Sequence, residues 1–126
     1  MAKKKGNPVN WFEIPVVNLK RAVRFYSRVF GLRLEMARME GMTLAFFPMA
    51  DRTYGAAGAL VKAKGYKPSS AGIVLYFSVA NIPATLKKVK ARGGKVLQRR
   101  TSIGQYGFMG RFRDTEGNRV ALHSMK

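Results

Sequence analysis

The chain lacks cysteine altogether and has one histidine and six acidic residues among 126. Without cysteine, disulfides, thiolate metal sites and cysteine nucleophiles are excluded. No apolar run approaches the roughly 20 residues that a membrane-spanning helix needs. The basic start, MAKKKG, lacks the apolar stretch of a secretory signal. We therefore expect residues 1–7 to be a flexible basic leader, and the protein to be cytoplasmic.

The charge is strongly unbalanced, because 24 Lys and Arg residues oppose six Asp and Glu, for a formal net charge of +18. Such a chain attracts polyanions, with an affinity that falls steeply as salt rises. The composition is otherwise that of a globular protein, with 47% hydrophobic residues. The length is usual for one domain. We therefore expect a single folded domain over residues 8–126.

Two stretches of the chain share one plan. Residues 11–34 (WFEIPVVNLKRAVRFYSRVFGLRL) and 75–97 (LYFSVANIPATLKKVKARGGKVL) each read as a strand, an Asn N-cap, a helix and a glycine stop. Strand patterns follow both stretches. The repeat predicts two βαβββ modules, at about 8–62 and 72–126, joined by a polar linker at 63–71. Two such modules form an α+β fold, in which a curved mixed sheet surrounds a central cleft suited to a small ligand.

The element boundaries follow from periodicity, caps and turn residues. We predict helices from Asn18 to about Phe30 and from Asn81 to about Arg92. Pro15 indicates that the first strand lies at an edge or a bulge. A hairpin turn is predicted at 114–118, where Asp114 and Glu116 have a structural reason to be acidic. The predicted strands cover residues 9–17, 32–37, 42–48, 57–61, 73–79, 95–100, 108–113 and 120–125.

Three features of the chain carry a family resemblance: the strand–Asn-Leu–helix–FYSRVFGL opening, its second-half copy and the ending DTEGNRVAL. With them, the chain resembles the vicinal oxygen chelate superfamily. That superfamily includes glyoxalase I, extradiol dioxygenases, and bleomycin- and fosfomycin-resistance proteins. The resemblance covers residues 8–125 and implies a glyoxalase-like fold and a homodimer. Metal-dependent members place a His on the first strand of a half and a Glu on its last. The matching positions hold Trp11, Val74 and Ala121, which cannot ligate a metal, so we expect neither a metal nor another cofactor.

Two ionisable residues lie beside those positions, two residues along the same strand faces. Glu13 and His123 are the candidate catalytic residues, as a pair or as an acid and a base across the cleft. Alternatively, Glu13 is a buried carboxylate hydrogen-bonded to His123 or to a backbone amide. Tyr66 and Lys67 in the linker are either a lid or ordinary surface. The candidate pocket residues, for each of which core packing is the alternative, are Trp11, Phe46, Tyr76, Phe108 and Met109.

Basic residues occur on both predicted helices and in most strands, without forming one stripe. This even spread favours deliberate surface supercharging over evolved nucleic-acid recognition. Our first hypothesis is therefore an engineered cationic scaffold, lacking the usual metal ligands, that associates with anionic proteins or nucleic acid by non-specific electrostatics. One alternative is a natural small-molecule-binding protein or a lyase- or isomerase-type enzyme of the superfamily. The other is a basic nucleic-acid-binding protein.

Overall fold

A computed structural model of the chain describes residues 6–50 and 53–126. Most of the predicted leader, residues 1–5, lies outside the described residues. The elements are β1 (Trp11–Pro15), α1 (Leu19–Phe30), β2 (Glu35–Met39), β3 (Met42–Phe46), β4 (Ala57–Lys62), β5 (Tyr76–Ser78), α2 (Ile82–Ala91), β6 (Lys95–Ser102), a 3-10 turn (Gly104–Tyr106), β7 (Phe108–Arg113) and β8 (Arg119–Ser124). The α+β fold of two βαβββ modules is confirmed.

Each module contributes one four-stranded mixed sheet, in the orders β1-β4-β3-β2 and β5-β8-β7-β6. The first strand of each module runs parallel to the last, and the remaining pairs are antiparallel. Strand β1 lies at an edge, as Pro15 predicted, because proline cannot donate to a second neighbour. The repeat extends to hydrogen bonding, since the amide of Val16 donates to Val61 and that of Val79 donates to His123.

Both predicted helix starts are confirmed. The side-chain oxygen of Asn18 accepts from the amide of Arg21 at 3.0 Å, and that of Asn81 accepts from Ala84 at 2.9 Å. Helix α1 ends at Gly31, whose φ of 64° is left-handed and easily adopted by glycine. Local chemistry decides these ends, because a cap needs only residues three or four positions away.

Several strand boundaries differ from the prediction. Strand β5 has three residues instead of the seven predicted over 73–79, since it pairs only with Ala121–His123 of β8. In the apolar run before it, only Leu75 bonds to β8, accepting from the amide of Ala121 at 2.8 Å, and Ile73 is 92% exposed. Strand β6 continues to Ser102 through two register shifts against β7. These differences arise because strand length depends on the available partner as well as on local composition.

One core joins the two modules on the helical side of the sheets. The ring of Phe77 in the second module stacks on Phe30 of α1 at 4.5 Å and meets the edge of Phe12 at 5.9 Å. The rings of Phe25 and Phe112 also approach across the modules, at 5.9 Å. Aromatic pairs of this kind add to the free energy gained from apolar burial. The modules are therefore fixed together by one shared apolar layer.

The β7–β8 hairpin turn locks onto the first module through its acids. The carboxylate of Glu116 accepts from the amides of Val17 and Asn18 and forms an ion pair with Arg21 at 2.7 Å. The carboxylate of Asp114 accepts from the phenol of Tyr26 at 2.6 Å. Both acids are buried. The prediction that this turn is acidic for a structural reason is confirmed.

Within residues 6–50 and 53–126, no helix is long and apolar enough to cross a membrane.

Candidate ligand site

The face of each sheet opposite the helices is called its open face. On the open face of the first sheet, Trp11 packs against Phe46 with ring centroids 6.0 Å apart. Both rings contact a small apolar cluster of Leu44, Ala59 and Val61. The structure thus brings together two of the predicted pocket residues. The first wall of the site is aromatic and apolar.

The linker covers part of this wall through Tyr66. Its ring packs on the same apolar cluster, and its phenol donates to Glu13 Oε1 at 2.7 Å. This hydrogen bond and the carboxylate charge raise the pKa of Tyr66, because both favour the neutral phenol. Glu13 is exposed, so the alternative of a buried carboxylate is corrected: its partner is a linker phenol, which no local sequence signal indicated.

A cavity of about 380 Å³ lies between the modules. It is called the intermodule cavity. Trp11 and Glu13 of β1 line one side, Leu75 borders β5, and Arg119 of β8 lines the other side. The cavity therefore combines an aromatic ring, a carboxylate and a guanidinium. Small-molecule sites have this composition, with a mostly apolar lining and a few polar groups that orient the ligand.

The open face of the second sheet is basic. Arg111 and Arg113, two residues apart on β7, both lie on this face, and Arg113 lies directly opposite Arg119 of β8. Sequence reasoning missed these three arginines. For Arg113 and Arg119 the signal was present, because residues placed symmetrically about a hairpin turn at 114–118 face each other across the ladder.

His123 and Met109 are cross-strand partners on that same open face. The Nε2 atom of His123 lies 2.6 Å from the carbonyl oxygen of Tyr106, and the structure shows no hydrogen bond between His123 and Glu13 in the described chain. The direct pair proposed from the sequence is therefore corrected, because the two side chains belong to different sheets and each has its own partner.

The remaining predicted pocket residues lie on different faces of the second sheet, because side chains alternate along a strand. Tyr76 is 51% exposed and shares the open face of the second sheet with its partner Ala121. Met109 is buried, whereas its neighbour Phe108 points to the helical side, packs against the main core and lies under the guanidinium of Arg100 at 3.6 Å. The predicted place of Phe108 in the pocket is corrected, since adjacent residues of a strand face opposite sides.

Residues 9–122 match the sequence model of the Glyoxalase/Bleomycin resistance protein/Dioxygenase superfamily. The chain belongs to this superfamily. A glyoxylase-like domain-containing protein of Didymella fabae is 32% identical over 121 residues, which cover 90% of this chain and 91% of that protein.

Solved structures of the superfamily share the fold. A glyoxalase family protein from Bacillus cereus has a TM-score of 0.75 at 19% identity, over 98% of this chain and 97% of that one. A glyoxalase I mutant from Zea mays has a TM-score of 0.73 at 21% identity, over 94% of this chain. The match spans only 47% of the maize chain. At these identities the likeness establishes the fold alone.

The donor set does not fit the metal of the metal-dependent superfamily members. Trp11 begins β1, Val74 precedes β5, and Ala121 is fully buried on β8. The equivalent of Ala121 in the first module is Ala59, the partner of Glu13 on β4. No group of three His, Cys, Asp or Glu side chains in the described part of the chain is arranged to hold a metal ion. Indole and alkyl side chains offer no lone pair suited to a metal ion.

Proposed function

We propose that this chain is a metal-independent member of the superfamily that binds a small organic molecule in the intermodule cavity. The observation that carries the proposal is the replacement of the usual metal ligands by an aromatic and apolar wall, with Trp11 against Phe46. The cavity beside that wall has about 380 Å³ of space, within the range of small-molecule sites. An apolar surface of this kind stabilises a ligand by removing apolar area from water.

The polar groups of the cavity suggest how a ligand is oriented. The carboxylate of Glu13 accepts one hydrogen bond from Tyr66 and keeps acceptor capacity for a ligand donor. Tyr66 comes from the linker, so this hydrogen bond ties the linker to the carboxylate that faces the cavity. A lyase- or isomerase-type reaction would use Glu13 as the base. His123, on the other sheet, is the second candidate for proton transfer.

Fluorescence gives a direct test, because Trp11 is the single tryptophan of the chain. Titration with a panel of small aromatic and aliphatic compounds is expected to change its emission in a saturable way for at least one compound. Tyr66→Phe removes the hydrogen bond to Glu13 and is expected to change the affinity. Tyr106→Phe, at an exposed ring, is the matched control. If no compound in the panel perturbs Trp11, or if both variants behave alike, the proposed site is wrong.

Metal content provides a second test. Protein purified without chelator is expected to hold no stoichiometric zinc, nickel or manganese, because Glu13 and His123 are too few ligands for a specific site. Stoichiometric metal that is lost in Glu13→Gln or His123→Ala would contradict the metal-independent assignment.

A second candidate function is non-specific association with polyanions. Only one ion pair, Arg21–Glu116, forms within the described residues, although the chain has 24 Lys and Arg. Neither helix has an acid in its first turn. We expect equal affinity for unrelated DNA duplexes and loss of binding at moderate salt. A marked sequence preference would favour a dedicated nucleic-acid-binding protein instead.

The engineered-surface hypothesis concerns the origin of this charge. It is supported by exposed cations on several separate elements, such as Arg24 on α1, Arg38 on β2 and Lys88 on α2. A measured surface potential with one basic face and neutral surroundings would contradict it.

The homodimer is likewise a proposal. Its support is the exposure of apolar side chains on the edge strand β2, where Met36 is 55% and Met39 is 45% exposed. Analytical ultracentrifugation at micromolar concentration is expected to give twice the monomer mass, and a monomer there would contradict it.

A further inference from the structure

Three cations stand side by side on the open face of the second sheet. Lys95 of β6 pairs with Arg113 of β7, and Arg113 pairs with Arg119 of β8. These three residues are called the cationic row. Arg111 lies two residues from Arg113, on the same face, and donates to the side chain of Gln98 at 3.1 Å.

No residue of the row forms an ion pair with an acid in the described part of the chain. The acids nearest along the sequence, Asp114 and Glu116, are already bound to Tyr26 and Arg21 of the first module. Like charges directly opposite each other on neighbouring strands destabilise a sheet. The arrangement is therefore electrostatically unfavourable unless a negative group lies against it.

The arginines of this face also have unused donors. The Nε atoms of Arg111, Arg113 and Arg119 are buried from solvent and have no hydrogen-bond partner. Buried donors without partners are uncommon, because each loses its bond to water and gains nothing. Nε–H and Nη–H of one arginine lie side by side and match the two oxygens of a carboxylate or phosphate. Because these Nε atoms are buried, an arriving anion reaches them only if the side chains rotate toward it.

We propose that the cationic row, together with Arg111, binds the oxyanion of the ligand, namely a phosphate or carboxylate group on a small organic molecule. Arg119 connects the row to the intermodule cavity, whose other side holds Trp11. An amphipathic anion spans both features, with its charged end at the row and its apolar body at Trp11. The proposal rests on the proposed function and adds the chemical class of the ligand.

The test uses inorganic phosphate and malonate as probes, with chloride at the same ionic strength as reference. Holding the ionic strength constant is necessary because a chain of charge +18 attracts any anion. Binding is followed through the Nε–Hε signals of arginine in nitrogen–proton correlation spectra of the wild-type protein. Saturable shifts are expected at Arg111, Arg113 and Arg119. If these signals do not move, or move no more than that of Arg24, the proposal is wrong.

Variants give an independent measure. Arg113→Gln and Arg119→Gln are each expected to weaken phosphate binding about tenfold or more, because each removes a charge-assisted pair of hydrogen bonds. Arg24→Gln on α1 and Arg38→Gln on β2 remove the same charge from exposed sites and are expected to change it less than about twofold. Equal weakening in all four variants would indicate diffuse electrostatics and overturn the proposal. The wild-type spectra decide the matter if a variant fails to fold.

The two proposals fail in different ways. If neutral apolar compounds perturb Trp11 while phosphate and malonate leave the arginine signals unchanged, the oxyanion site is wrong and the cavity stands. If the arginine signals respond and no compound perturbs Trp11, the oxyanion site is supported and the assignment of the cavity fails.

Discussion

Replacing Glu116 by glutamine tests how the two modules are held together. The carboxylate accepts five hydrogen bonds: from the amides of Val17 and Asn18, from Nε and Nη2 of Arg21, and from the hydroxyl of Thr115. Burial opposes ionisation of Glu116, but the bonds from Arg21 and the two amides outweigh it and lower its pKa. The charged form is therefore the one that the fold prefers.

The magnitude follows from which bonds glutamine can keep. With its amide oxygen in place of Oε1, glutamine retains the two backbone amides and one contact to Arg21. Its NH2 group then faces Nε of Arg21, where a 2.7 Å charge-assisted bond is replaced by two opposed donors. The side chain of Glu116 is fully buried, whereas that of Arg21 is 45% exposed, so water relieves part of the loss. We expect a decrease of about 2–3 kcal/mol in the free energy of unfolding.

Urea unfolding at neutral pH measures this decrease, and thermal unfolding should show a fall in Tm on the order of 10 °C. Glu35→Gln is the matched control, because it removes the same charge from an exposed position on β2. It is expected to change stability by less than about 0.5 kcal/mol. If Glu116→Gln is no more destabilising than Glu35→Gln, the inferred lock between hairpin and α1 is wrong.

The pH dependence of stability tests whether Glu116 stabilises the fold in its charged form. Because the pKa of Glu116 is lower in the folded protein, its contribution is fully present above the unfolded pKa of about 4.3 and is lost as the pH falls through the folded value. The stability difference between wild type and Glu116→Gln is expected to shrink below about pH 4. A difference that stays constant down to pH 2 would contradict the assignment.

Two further predictions concern the core. Tyr26→Phe removes the 2.6 Å bond to the buried carboxylate of Asp114 and should lower the free energy of unfolding in urea by about 1–3 kcal/mol. The control Tyr54→Phe, at a ring that is 98% exposed, should not change it measurably. Equal effects of the two substitutions would refute the role of this hydrogen bond. Gly94→Ala places a Cβ within 2.7–2.9 Å of three atoms and should lower the free energy of unfolding by about 1–3 kcal/mol. Gly6→Ala, whose Cβ meets no atom within 4 Å, is the control. A Gly94→Ala variant as stable as the wild type would show that the neighbouring atoms can move aside.

The predictable part of the fold is the part with local causes. The helix starts at Asn18 and Asn81 and the stop at Gly31 were correct, because capping involves neighbours three or four positions away. The edge position of β1 followed from Pro15 for a similar reason. Strand β5 was too long in the prediction, since its length depends on how much of β8 it can reach.

The site was less predictable, because its contacts join residues far apart in the chain. Trp11 and Phe46 were both named as pocket residues, but their mutual contact was not predicted, and the partner of Glu13 is Tyr66, 53 residues away. The side chain of Phe108 faces the helical side of the strand and lies outside the site. Whether a residue of this strand lines the pocket depends on which face its side chain points to, and the sequence alone did not settle that.

By itself, the sequence determined the charge, the duplicated βαβββ plan and the helix ends, since each depends on composition or short-range order. The positions at which metal donors are missing came from the resemblance to the superfamily. The tertiary structure alone decided which groups meet. It bound the two acids of the hairpin to α1, placed Tyr66 over Glu13, and left Lys95, Arg113 and Arg119 in a row that forms no ion pair within the described chain. Such pairings depend on strand register and module packing, which act across the whole chain.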